Sequence, residues 1–230
     1  MKYLKLLRIP LIVVFGVLFL DQLVKVWIKT HMYLGEETNV FGNWFILHFT
    51  ENNGMAFGME FAGNYGKLIL SLFRVIAIVV IGWYIWKLVK TKVAKGLLVS
   101  LSLIFAGASG NIIDSAFYAM IFNQSPMVHE YAYFNPEKAE VEVINGYEAE
   151  IFPSDGGYGS FLHGKVVDML YFPIIEGRWP RWMPFWGGEE FLFFRPVFNI
   201  ADSSITIGVL MILLFQRRYF PKKPKEKPTE

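Results

Sequence analysis

Cysteine is absent from this 230-residue chain, which excludes disulfides from its exported parts and excludes a lipid carried on a thiol. Those parts must be held by packing or by a membrane. Charge is scarce too: 18% of residues are Asp, Glu, Lys or Arg, against 54% hydrophobic and 17% aromatic. A soluble core of this size does not need that balance. Positive charge is missing altogether from residues 30–66, and residues 123–190 are mostly acidic. The net charge of +2 therefore reports sidedness, and nucleic acid is not an expected partner.

What the chain does have is apolar length. Four stretches, about 9–28, 67–89, 96–122 and 191–215, each reach the roughly 20 residues that a membrane-crossing helix needs. The first follows Lys2, Lys5 and Arg8 as a cleavable leader would. It lacks a small-x-small cleavage site, however, and Asp21, Gln22 and Lys25 continue its last turns, so it reads as a retained span. Basic residues in short loops stay cytoplasmic. Lys2, Lys5 and Arg8 precede span one, Lys87, Lys90, Lys92 and Lys95 join spans two and three, and Arg217, Arg218, Lys222, Lys223, Lys225 and Lys227 follow span four. All three clusters fall on one side, which predicts cytoplasmic termini, exported segments at 30–66 and 123–190, and a disordered basic tail at 221–230 that is drawn to anionic lipid.

The expected fold is an all-α integral membrane domain of four helices with a small exported β-rich region on the membrane surface. Residues 40–58 carry an aromatic and β-branched run that ends in an Asn-Asn-Gly turn, which predicts a small sheet. The alternation at 138–143 and the glycines at 156–159 predict an inserted strand or hairpin with a flexible tip. Trp179, Trp182 and Trp186 suit the headgroup layer.

Polar residues inside the spans carry the chemistry. An Asp or Lys in a bilayer costs at least about 2.5–3.5 kcal/mol, so such groups persist where they face a bundle interior or water. Asn111 and Asp114 are three residues apart, as are Asn199 and Asp202, and that spacing places each pair on one helical face. Asp168 lies outside the spans in an apolar segment. The plain structural alternative is interhelical glue, which suits Asp114 better than Asp202. Asp21 and Lys25, spaced i, i+4, read as a structural pair.

Read in order, Asp21-Gln22 with Lys25, Asn52-Asn53-Gly54-Met55-Ala56-Phe57, Gly110-Asn111-Ile112-Ile113-Asp114, Val166-Val167-Asp168 and Phe198-Asn199-Ile200-Ala201-Asp202 closely resemble the motifs of the prolipoprotein signal peptidases, signal peptidase II. These are membrane-embedded aspartyl proteases. The resemblance implies that Asp168 and Asp202 are the catalytic pair and that Asn52, Gly54, Asn111, Asp114 and Asn199 orient the pair or the substrate. It further implies a diacylglyceryl-modified prolipoprotein substrate cut before its lipidated cysteine, membrane lipids as surroundings, no metal or soluble cofactor, a monomer, and a site near the exported face of a bacterial inner membrane. Two departures stand out. Ser115 occupies a position where the family usually has Arg, and the segments 123–163 and 174–190 read as insertions.

Two carboxylates brought close together share one proton, so the pair offers an acid and a base at once. One can activate water while the other protonates the scissile carbonyl oxygen. Two alternatives come from other classes: a small proton-coupled transporter that uses Asp114 and Asp202 as a relay, and a non-catalytic envelope scaffold that binds a partner through 123–190. Transport would not require Asp168.

Overall fold

The computed structural model describes residues 2–52, 63–91, 93–124, 131–135, 140–144, 149–173, 175–185, 187–193 and 196–221. Four helices are long and apolar enough to cross a membrane: Leu6–His31, Ser71–Val89, Lys95–Ile121 and Ile200–Tyr219. They belong to α1 (Lys2–His31), α2 (Gly63–Val89), α3 (Lys95–Ile113) with its continuation, and α5 (Ile200–Tyr219). In three of the four, only 17% of the apolar window is buried in the protein. Phe15, Phe19, Phe73, Val79, Trp83 and Leu214 point outward instead, an inversion of soluble packing that acyl chains satisfy.

The fourth span begins later than the sequence predicts. The apolar run from Phe191 is divided between two short strands, β7 (Glu190–Phe193) and β8 (Val197–Phe198), before α5 starts at Ile200. Hydropathy cannot separate a buried strand from a helix; alternation and Pro196 could have marked the break.

The all-α description needs correction, because a sheet is integral to the fold. Strands β1 (Glu37–Phe41), β2 (Phe45–Asn52), β5 (Val166–Tyr171) and β8 form an antiparallel sheet in the order β1-β2-β5-β8. Hairpins β3–β4 (Tyr131–Asn135, Glu140–Ile144) and β6–β7 (Ile175–Arg178, Glu190–Phe193) stand apart from it. The first matches the predicted inserted hairpin. The glycines at 156–159 are no flexible tip, however: a Cβ on Gly157 would stand 2.1 Å from the Ala119 carbonyl oxygen, so this stretch is packed against a helix.

Contacts divide the chain into two compact units. One comprises Met1–Leu20, Phe73–Gly110 and Ile200–Glu230; the other comprises Asp21–Leu72 and Asn111–Asn199. The first has an apolar core of Ile85, Leu88, Val89, Leu97, Leu98 and Leu101. Its α3 and α5 meet through glycine. A Cβ on Gly107 would lie 2.2 Å from the Ala201 carbonyl oxygen, and one on Gly208 would lie 2.6 Å from that of Ser100. Small residues let membrane helices approach backbone to backbone. The second unit has its core in Ile28, Met32, Phe49, Tyr118, Phe122, Val167 and Met169, where helix and sheet side chains meet.

Candidate functional site

Asp168 sits in the middle of β5, whose first four residues are all buried. Strand β2 pairs with it in two registers: Ile46↔Tyr171 and Leu47↔Leu170 on one side, Thr50↔Asp168, Glu51↔Val167 and Asn52↔Val166 on the other. The shift makes His48 and Phe49 together oppose Met169, a β-bulge immediately beside Asp168. Bulges twist a strand and re-aim its side chains, and they recur next to active sites. Here the bulge accompanies a donor: the Asn52 amide hydrogen-bonds Oδ2 of Asp168. The Asn199 amide donates to Oδ1 at 2.7 Å and to the Val167 carbonyl at 3.2 Å. Asp168 is 4% exposed, so a charge-bearing group is withdrawn from water and oriented by two neutral amides. Hydrogen bonds to a charged acceptor are worth about 1.5–3 kcal/mol each.

Asn199 does not lie on a helical face as its spacing from Asp202 suggests. It is the residue between β8 and α5, in the position of a helix cap, and β8 pairs with β5 through Leu170↔Phe198 and Tyr171↔Val197. Strand pairing therefore delivers the amide to Asp168. Asn111 and Asp114 do share a face, as their spacing predicts. Both side chains reach one ammonium: Lys25 Nζ is 2.9 Å from Asn111 Oδ1, 2.7 Å from Asp114 Oδ2 and 2.9 Å from Asp21 Oδ2. The Gln22 amide donates to Asp114 Oδ1 at 2.9 Å, and the Tyr118 hydroxyl donates to Gln22 at 3.1 Å. Asp21, Lys25 and Asp114 are fully buried.

One bond joins the two groups. Asn199 donates to Asn111 Oδ1 at 3.1 Å, the same oxygen that accepts from Lys25. The order Asp21–Lys25–Asn111–Asn199–Asp168 is thus a continuous hydrogen-bonded chain. Among the described residues every buried side-chain nitrogen and oxygen has a partner, as a low-dielectric interior demands.

A second buried ion pair escaped the sequence reading. Lys29, fully buried, binds Glu51, and Lys165 stands 3.5 Å from the other oxygen of Glu51. The Lys29 ammonium also lies over the rings of Phe122 and Tyr158. The Tyr158 hydroxyl accepts the Lys165 backbone N–H at 2.9 Å. The available signal was Lys29 itself, one turn past Lys25 at the end of an apolar span. Glu51 precedes Asn52, so this pair anchors the strand that supplies the amide.

Of the predicted site residues, Asn52, Asn111, Asp114, Asp168 and Asn199 are gathered within the second unit. Asp202 occupies the first turn of α5, in the first unit, where a carboxylate suits the helix dipole; its carbonyl accepts from Thr206 Oγ1 at 2.9 Å. Gly54, with the rest of 53–62, lies outside the described residues, as do Trp186 and the tail from residue 222. Ser115 donates to the Asn111 carbonyl at 3.1 Å. Among the described residues no group of three His, Asp or Glu side chains is spaced to hold a metal ion.

Four apolar spans with a buried Asp168–amide centre, hydrogen-bonded through Asn199 and Asn111 to the Lys25 ion network, define a multi-pass membrane protein. The model of the signal peptidase II family matches residues 13–217, and the chain belongs to that family. It is 48% identical over 198 residues to the lipoprotein signal peptidase of Porphyromonas gingivalis, covering 86% of this chain and 77% of that protein. Identity is 37% over 201 residues to the lipoprotein signal peptidase of Amoebophilus asiaticus, covering 86% and 73%. The fold is similar to that of a bacterial membrane enzyme solved by the in meso method at 2.3 Å, with a TM-score of 0.55 and 23% identity over 95% of this chain and 93% of that one.

Proposed function

We propose that this member of the signal peptidase II family, an endopeptidase that removes signal peptides from prolipoproteins, works through the carboxylates of Asp168 and Asp202. The observation that carries the reading is a buried aspartate oriented by two neutral amides, Asn52 and Asn199, at the end of a hydrogen-bonded chain anchored in the membrane-spanning helices. In this reading one proton is shared by the two carboxylates. The ionised one takes a proton from water as it attacks the scissile carbonyl while the protonated one donates to the carbonyl oxygen; the proton taken from water then passes to the leaving amine as the C–N bond breaks, and the other carboxylate recovers its proton from the gem-diol hydroxyl as the new carboxyl group forms. Asn52 and Asn199 fix Asp168 for that exchange without adding charge, Asn111 transmits the Lys25 anchor to Asn199, and Asp114 holds Lys25 in place. Gly54, two residues after Asn52 in sequence, is assigned to the same substrate-binding or orienting group by the family motif.

The substrate is a diacylglyceryl-modified precursor that enters laterally from the bilayer, cut before its lipidated cysteine. The protein acts as a monomer among membrane lipids, with both termini cytoplasmic and the site near the exported face of a bacterial inner membrane. The distribution of Lys and Arg supports that orientation. Incubating the purified protein in detergent with a lipidated precursor tests the reading. Release of the signal peptide, with the lipidated cysteine as the new N-terminus, is expected; an uncleaved precursor, or a cut elsewhere, would overturn it.

A further inference from the structure

Residues 149–164 do not cross the water as a free loop. Beyond Ile113 the third span continues through a wide turn of π-helix, Asp114–Tyr118, and a last short turn, α4 (Ala119–Ile121). The later segment then runs back along it. Phe152 N–H donates to the Ile121 carbonyl at 2.7 Å, Tyr158 N–H to that of Phe122 at 3.0 Å, Gly159 N–H to that of Ala119 at 2.9 Å, Leu162 N–H to that of Ala116 at 3.3 Å, and Gly164 N–H to that of Ser115 at 2.9 Å. From Tyr158 onward, successive donors therefore meet carbonyls ever further back into the span. From Phe122 to Ser115 the descent is about 10 Å at helical rise.

Such an approach is open only to glycine at its two tightest points. A Cβ on Gly157 would stand 2.1 Å from the Ala119 carbonyl oxygen, and one on Gly164 would stand 2.0 Å from that of Asp114. The π-turn fits the same purpose, since i→i+5 bonding redirects helix carbonyls, and those of Ser115 and Ala116 accept from the segment. Non-helical backbone at membrane depth is tolerated when protein satisfies its polar groups. The segment's exposed residues are mixed: Ser160 and His163 hydrogen-bond each other at 3.1 Å, and Phe161 stands between them against the span. Phe161 is 54% exposed and sits edge-on to Phe117 at 5.8 Å; Phe117 is 45% and Met120 50% exposed on the span itself.

We propose that residues 157–164 form a strap seated in the bilayer beside the last turns of the third span, with Phe161 and Phe117 together facing lipid acyl chains near the headgroup boundary. The strap leads directly into β5, so Asp168 is reached from within the membrane layer. This inference does not depend on which residues catalyse.

The absence of native cysteine makes site-directed spin labelling direct. Phe161→Cys, Phe117→Cys, Phe152→Cys and Asp155→Cys, each labelled and reconstituted in phosphatidylcholine–phosphatidylglycerol vesicles, report depth through the ratio of oxygen to nickel-chelate collisions. The expected ratio is several-fold higher at 161 than at 155, equal at 161 and 117, and intermediate at 152. A label at 161 as open to the nickel chelate as that at 155 overturns the strap. The unmodified chain provides an arm that no misfolded variant can spoil: photolysis with diazirine-tagged phospholipid, followed by peptide mapping. Adducts within 157–164 support the proposal, and adducts confined to the spans refute it.

Discussion

The two compact units solve the problem of standing in a membrane in opposite ways. The unit built from Met1–Leu20, Phe73–Gly110 and Ile200–Glu230 buries leucines and valines and brings α3 against α5 through Gly107 and Gly208. The unit built from Asp21–Leu72 and Asn111–Asn199 buries Asp21, Lys25, Lys29 and Asp114 completely and compensates each charge within hydrogen-bonding distance. Apolar packing tolerates small errors. A buried ion network does not, because removing one partner leaves another charge uncompensated. The difference teaches that the polar unit carries constraints beyond stability: replacing a buried ion network with well-packed apolar residues is often neutral or stabilising, so its retention calls for another reason.

The largest effect should come from chemistry. Asp168→Asn, and separately Asp202→Asn, should lower precursor cleavage by about 10²–10⁴-fold or more, the typical contribution of positioned acid–base groups. Asp202→Asn should keep near-wild-type thermal unfolding in detergent, whereas Asp168→Asn should fold with lower stability, because its NH2 group would face the amide donor of Asn52 or Asn199. Turnover close to wild type in either well-folded variant would remove that residue from the proposed pair.

Next comes the ion network itself. Lys25→Met strands Asp21 and Asp114 and should cost about 3–5 kcal/mol in denaturant unfolding. Neutralising all three, as Asp21→Asn, Lys25→Met and Asp114→Asn, should recover much of that loss while leaving cleavage impaired through Asn111 and Asn199. Recovery of both stability and activity would break the contrast between the units, because the network would then serve neither.

Gly107→Ala probes the apolar unit at its closest approach. Its added methyl meets the Ala201 carbonyl and should cost about 1–3 kcal/mol as overpacking. Full stability in that variant would show that α3 and α5 have room to separate.

The smallest effect on stability is expected at Trp182, 81% exposed in the turn between β6 and β7. Trp182→Ala should change stability by no more than about 0.5 kcal/mol. In a background where Trp182 is the only tryptophan, its fluorescence should be quenched by headgroup-region lipid probes. Blue-shifted emission that no lipid-borne quencher reaches would place the ring in a protein core instead.

Hydropathy located three of the spans to within a few residues, because apolar length is a local property that no tertiary contact needs to supply. It missed the start of the fourth, where Phe191–Phe198 satisfies the same apolar criterion as two short strands. The i, i+3 spacing correctly placed Asn111 and Asp114 on one face, since helical periodicity is also local; that this face meets the Lys25 ammonium came from the tertiary structure. At Asn199 the spacing misled: the strand pairing of β8 with β5 is a long-range fact, and it turns that side chain from a helix face into a cap-position donor to Asp168.

Residue types and their order along the chain determined that this is a four-span membrane protein with costly polar groups at Asp21, Lys25, Asn111, Asp114, Asp168, Asn199 and Asp202. Only the tertiary structure decided what those groups touch. The bulge beside Asp168, the shared Asn111 oxygen, the Lys29–Glu51 anchor and the glycine strap along Ser115–Phe122 all join residues far apart in sequence. In a low-dielectric interior every polar atom must find a partner. Composition can say that partners are required, but chain geometry alone selects which ones.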